Sequence, residues 1–147
     1  MSGSLHIIKL CVGIEKVSDL AQWRAIHAAE AAAEGRENVT RHITRMRPRR
    51  EDELLDGGSL YWVIKGMVQV RQKIIRLDEV IGEDGIRRCG IIMEPDLIQT
   101  TGQPRRPFQG WRYLNGTDTP QDIGPYKEGQ VELPSALQAE LAALGVL

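Results

Sequence analysis

The feature that most constrains this chain is Leu60-Tyr61-Trp62-Val63-Ile64-Lys65, followed by Gly66 and then by Val68-Gln69-Val70-Arg71-Gln72. A short apolar run rich in aromatic and β-branched residues reads as a buried strand, and the glycine behind it permits a tight reversal or bulge. On the returning strand, Val68, Val70 and Ile74 share a face with Gln72, while Gln69, Arg71 and Lys73 share the other. The alternation slips at Ile75-Arg76-Leu77, which predicts a bulge. Gly82-Glu83-Asp84-Gly85 is a hairpin turn, and residues 86–93 run back with Cys89, Ile91 and Met93 in phase. A three-stranded antiparallel meander is expected, with Trp62 and Ile64 turned inward.

The rest of the chain is arranged around that meander. Residues 5–12 read as a central strand ending at Gly13. A helix over 18–34 follows, with Ser18 or Asp19 as its cap and Val17 as a staple. Leu20, Trp23, Ile26, His27 and the alanines to Ala33 form its stripe, and Gly35 forms its left-handed end. In residues 37–46, Val39, Arg41, Ile43 and Arg45 project one way and Thr40, His42, Thr44 and Met46 the other. Neither face is cleanly apolar, so this is an edge or cleft-lining strand, ended by Pro48. Residues 52–55 form one helical turn. After Pro95, residues 97–98 add a short strand, 102–107 read as an ordered loop, and 108–114 as an aromatic last strand. Residues 115–132 are turn-rich and acidic. Pro134, Leu137, Leu141 and Leu144 predict an amphipathic C-terminal helix. The expectation is one α+β domain over residues 1–147, with 1–4 flexible. Its mixed, mostly antiparallel sheet would curl toward a small barrel.

No apolar run is long enough to span a bilayer and no secretory leader is apparent, so a cytoplasmic protein is expected. Cys11 and Cys89 are too few and too far apart for a disulfide framework or zinc ligands and read as buried thiols. His27 reads as a packing residue. His6 and His42 lie in strands without a carboxylate at metal-ligand spacing, so no metal and no cofactor are expected. Fourteen of the nineteen basic residues are Arg, and charge is uneven: −1 over residues 1–35, +4 over 36–112 and −4 over 113–147. Arg favours phosphate and carboxylate. In Arg45-Met46-Arg47-Pro48-Arg49-Arg50, however, the acidic run Glu51-Asp52-Glu53 follows at once.

No nucleophile elbow, phosphate loop or dinucleotide fingerprint is present. The remaining cluster is Lys65, Gln69, Arg71, Arg105, Arg106 and Arg112 for phosphate or other anions, with Tyr61, Trp111 and Tyr113 as stacking rings. Singly, each has a structural explanation: Trp62 and Trp111 suit a core, and Arg71 could pair with Asp56 or Asp78. Together they suggest a non-catalytic module binding RNA or a nucleotide. The alternative is an enzyme on a small anion, with Arg71 and Arg112 as the clamp and His42, Glu53 or Asp56 as acid or base. A third is a protein-interaction subunit using Leu137, Leu141 and Leu144.

The runs at 5–13, 53–66 and 106–114 resemble the signature of an uncharacterised bacterial family, Domain of Unknown Function 1489, which brings no activity or site residue with it. Lys65-Gly66-Met67-Val68-Gln69-Val70-Arg71 is similar to the strand motif of the ASCH domains, relatives of the PUA RNA-binding barrels. Here the Gly-Lys order is reversed and Gln69 stands in place of Glu. That similarity implies a PUA-like barrel.

Overall fold

A computed structural model describes residues 4–126. The predicted C-terminal helix, its leucines and residues 1–3 of the expected flexible start lie outside the described residues. Element order is β1 (Leu5–Leu10), α1 (Val17–Glu34), β2 (Thr40–Thr44), α2 (Glu51–Leu55), β3 (Ser59–Ile64), β4 (Met67–Ile81), β5 (Arg87–Met93), β6 (Ile98–Pro104), β7 (Trp111–Asn115) and β8 (Asp122–Pro125). The class is α+β, and the eight strands form one mixed, mostly antiparallel sheet. The order is β2-β5-β4-β3-β1-β7, with β6 also on β4 and β8 on β6. Among the described residues only β1 and β3 run parallel; every other pairing is antiparallel.

The expected meander is present as β3-β4-β5. Its first turn is Lys65-Gly66, where both residues have positive φ (51° and 77°), a conformation suited to a two-residue hairpin. The 15-residue β4 pairs with β3 along one edge. Along the other it pairs with β6 over its first half and β5 over its second. β5 and β6 are thus two parts of one return path, broken where Pro95 has no amide to donate. The predicted slip near Ile75 is a register shift between Ile74 and Arg76.

A second irregularity changes which residues share a face. Trp62 pairs with Val70 but Val63 with Val68, leaving Gln69 as the extra residue. Val68 therefore joins the smaller core of Ile8, Tyr61, Val63 and Leu114. Val70 and Ile74 join the main core with Leu5, Ile7, Leu54, Leu60, Trp62 and Ile64. The expectation that Val68 and Val70 share a face is corrected by this bulge. Trp62 and Ile64 do turn into the main core.

Other corrections follow from backbone pairing. The 102–107 loop is strand as far as Pro104, which pairs with Met67. The turn-rich segment after residue 115 contains β8, whose Gly124 pairs with Gln99. The sheet is not closed into a barrel, since no ladder joins its ends among the described residues. Side chains bridge that opening instead: Trp111 Nε1 donates to the Met46 carbonyl at 2.8 Å, and Tyr113 Oη accepts from the Arg50 amide at 3.1 Å.

Helix α1 starts at Val17 without a side-chain cap, so neither Ser18 nor Asp19 fills that role. Gly35 ends it in the left-handed conformation, as expected. The buried stripe is Val17, Leu20, Arg24 and Ala31, whereas Trp23 and Ile26 are 43% and 52% exposed. Arg24 takes an inward place and donates from Nε to the Pro95 carbonyl at 3.4 Å, while Trp23 and Ile26 lie outside this stripe.

Candidate functional site

The residues singled out from sequence do not form one cleft. Tyr61 is buried against His6 on the smaller-core face, ring centroids 5.2 Å apart. Trp111 and Tyr113 pack edge to face against one another beside the main core. Alternation along β7 sends Arg112 the other way, where its guanidinium lies 5.1 Å from the Phe108 ring. Gln69 is consumed by the bulge, donating from Nε2 to the Ile64 carbonyl at 2.7 Å. Arg71 pairs with neither Asp56 nor Asp78. It makes two parallel bonds to Asp122, Nε to Oδ1 at 2.8 Å and Nη2 to Oδ2 at 2.7 Å, and a third to Ser59 Oγ. Arg105 folds onto Gln103 Oε1 at an open polar groove lined also by Tyr113, Asn115, Thr117 and Asp118. Of the predicted residues, this groove brings Arg105 and Tyr113 together. Lys65 occupies the hairpin turn, and both Lys65 and Arg106 are exposed.

The candidate acids and bases are equally dispersed. Glu53 is exposed and held by Arg50, and Asp56 is exposed. His42 is different. It lies on β2, the terminal strand next to β5, and lines a cleft of about 310 Å³ beneath α1. The floor and walls come from Lys9 and Cys11 of the β1 end, Ile14, Leu20, Trp23, Thr40, Trp62 and Gln72, with Arg41 at the rim.

The local order of this cleft follows from strand alternation. Lys9 and Cys11 continue the inward parity of Leu5 and Ile7, so a lysine takes a place where the pattern calls for another core residue. On β2 the same parity brings Thr40 and His42 inward. Arg41 is turned outward, its Cγ and Cδ lying 3.6 Å from where a side chain on Gly90 would begin.

Gln72, fully buried, ties the floor together. Its Oε1 accepts from Trp62 Nε1 at 2.9 Å, and its Nε2 donates to Thr40 Oγ1 at 2.8 Å and to the Glu94 carbonyl at 3.0 Å. The amide is thereby spent. Three side chains around it are not. Lys9 makes no ion pair among the described residues, and Thr40 accepts from Gln72 while keeping its hydroxyl proton to donate. His42 packs edge to face on Trp62 at 5.2 Å, and its Nε2 is shielded from solvent without a hydrogen-bond partner. Burial, with a smaller push from Lys9, lowers the His42 pKa to about 4, so the ring is neutral at physiological pH. Burial raises the Cys11 thiol to about 11, so it stays protonated.

Sequence reasoning read residues 37–46 as an edge or cleft-lining strand and named His42 as a candidate acid or base. It did not join them to Lys9, Cys11 and Trp23, which it read as strand and helix packing. The available signal was Lys9, an isolated charge within an apolar strand. Among the described residues, no three His, Cys, Asp or Glu side chains cluster as metal ligands, and no helix is long and apolar enough to cross a membrane.

The model of a protein family of unknown function (DUF1489) matches residues 7–147, and the chain belongs to that family. No curated protein and no solved structure matches the chain.

Proposed function

We propose that this member of the DUF1489 family is a binding domain for a small organic molecule, held in the cleft between β1, β2 and α1. One observation carries the reading: Lys9, Thr40 and His42 converge on a half-open, largely apolar cleft with bonding capacity that no described residue uses. A buried polar group left unbonded costs about 1–3 kcal/mol, and a ligand that bonds it recovers part of that cost. The cleft volume sits at the lower end of the range for small-molecule sites. Binding without catalysis is favoured because Cys11 is protonated and, among the described residues, no carboxylate lines the cleft to act as a base.

Thermal melts with a panel of small organic molecules test this. A ligand specific for the native state raises the melting temperature by mass action, and Trp23→Ala, which removes an exposed wall, should diminish the rise. If no molecule in the panel shifts the wild-type melt, the reading fails.

A second reading keeps RNA or a nucleotide as the ligand of Lys65, Arg71, Arg105, Arg106 and Arg112. Its support is that Arg105 and Arg112 rest on neutral partners, Gln103 and Phe108, and so keep their charge for phosphate. Against it, Asp122 neutralises Arg71. Salt-sensitive binding of RNA oligonucleotides, weakened by Arg105→Ala and Arg112→Ala, would establish it; no binding at low salt would dismiss it.

A further inference from the structure

We infer, resting on the small-molecule reading, that the ligand is a monoanion: a carboxylate carried on a planar apolar body. The lining side chains fix the sign of the charge. Among the described residues they include no Asp or Glu to offset Lys9. Of the two basic lining residues, Lys9 faces inward without an ion pair among the described residues, while Arg41 is carried on the outward-facing side of β2 at the rim. A second positive charge placed beside Lys9 would be repelled, and a dianion would bring one charge more than Lys9 can balance.

The polar groups with spare capacity have matching chemistry. A lysine ammonium only donates, and the Thr40 hydroxyl has already accepted from Gln72 and has a proton to give. A neutral imidazole can donate from one ring nitrogen. These groups suit the oxygens of a carboxylate, which only accept. Gln72 cannot add a competing preference, because its amide is engaged by Trp62, Thr40 and Glu94.

The body of the ligand is set by the walls. Trp62 is locked by its bond to Gln72, and Trp23 stands half out of the surface with its ring against His27 at 4.0 Å. Ile14 and Leu20 complete an apolar lining. Indole faces and branched aliphatic side chains favour a flat hydrocarbon or heteroaromatic surface over a sugar or a flexible polar chain.

The test is titration of the intact chain with benzoate and naphthoate, their uncharged counterparts benzamide and naphthamide, and phenyl phosphate. Indole N–H resonances report binding. The carboxylates are expected to bind roughly tenfold or more tightly than the amides. Lys9→Met should abolish that preference and Lys9→Arg should retain it. Amides binding as tightly as carboxylates, a preference that survives Lys9→Met, or tighter binding of phenyl phosphate would overturn the inference. In each case the Trp23 and Trp62 signals still move, so the small-molecule reading survives. If neither signal moves with any probe, both fall.

Discussion

Trp62 Nε1 donates to Gln72 Oε1 at 2.9 Å, joining neighbouring strands β3 and β4 beneath the cleft. Because Gln72 is fully buried and also holds Thr40 and the Glu94 carbonyl, its loss leaves three polar groups without their partner. Gln72→Met should cost about 2–4 kcal/mol in urea unfolding. The cost should shrink in a Trp62→Phe background, where no indole N–H is left unbonded. Equal costs in the two backgrounds would show that the bond carries no stability of its own.

His42 sets a pH dependence. Its folded pKa, about 4, lies below the ordinary histidine value of 6.5, so the unfolded chain takes up a proton first as pH falls. The contribution is fully present above about pH 6.5, is lost as pH drops toward the folded value, and is constant below it. Partial exposure of the ring holds the loss to about 1–2 kcal/mol. His42→Phe should flatten the stability difference between about pH 7 and about pH 4.5 by that amount. An unchanged difference would mean that His42 is not protonated on unfolding.

Gly58 has no room for a side chain. A Cβ there would sit 2.3 Å from the Leu54 carbonyl oxygen and 2.6 Å from that of Leu5, both backbone atoms. Gly58→Ala must therefore separate α2 from β1 and should cost about 3 kcal/mol or more. Circular dichroism melts would reveal it, and a melt like that of wild type would contradict the packing.

The Arg71–Asp122 pair anchors β8 more than it stabilises the molecule. Asp122 is 43% exposed, so Asp122→Asn should cost about 1 kcal/mol or less. Its main effect should be faster hydrogen exchange at the amides of Thr101 and Tyr126, which hold the β6–β8 junction. Unaltered exchange at both would show that backbone pairing alone holds β8.

The meander was legible because its information is local: a continuous apolar run in residues 60–64 and in-phase Cys89, Ile91 and Met93 on the return strand, with glycine turns between. The short strand expected at 97–98 is the start of β6. The rest of β6 and all of β8 were not legible, because Gln99, Thr100, Thr101, Gln103 and Asp122 pair through backbone and carry no apolar rhythm. The bulge at Gln69 was equally hidden, and it decided that Val68 and Val70 lie on different faces. The Arg-rich cluster looked coherent in sequence, but alternation along β7 separates Arg112 from Trp111 and Tyr113. The cleft depends on residues far apart in the chain, Lys9, Trp23, Thr40, His42 and Gln72, and only the tertiary fold brings them together.

The three tryptophans provide the most direct measurement of the central claim. Trp23 and Trp62 line the cleft, whereas Trp111 bonds the Met46 carbonyl at the far edge of the sheet. Nitrogen–proton spectra recorded while small planar carboxylates are added should move the Trp23 and Trp62 indole signals and leave Trp111 in place. Movement of the backbone signals of Arg105 and Arg112, with Trp23 and Trp62 unmoved, would contradict the account and return the site to those arginines.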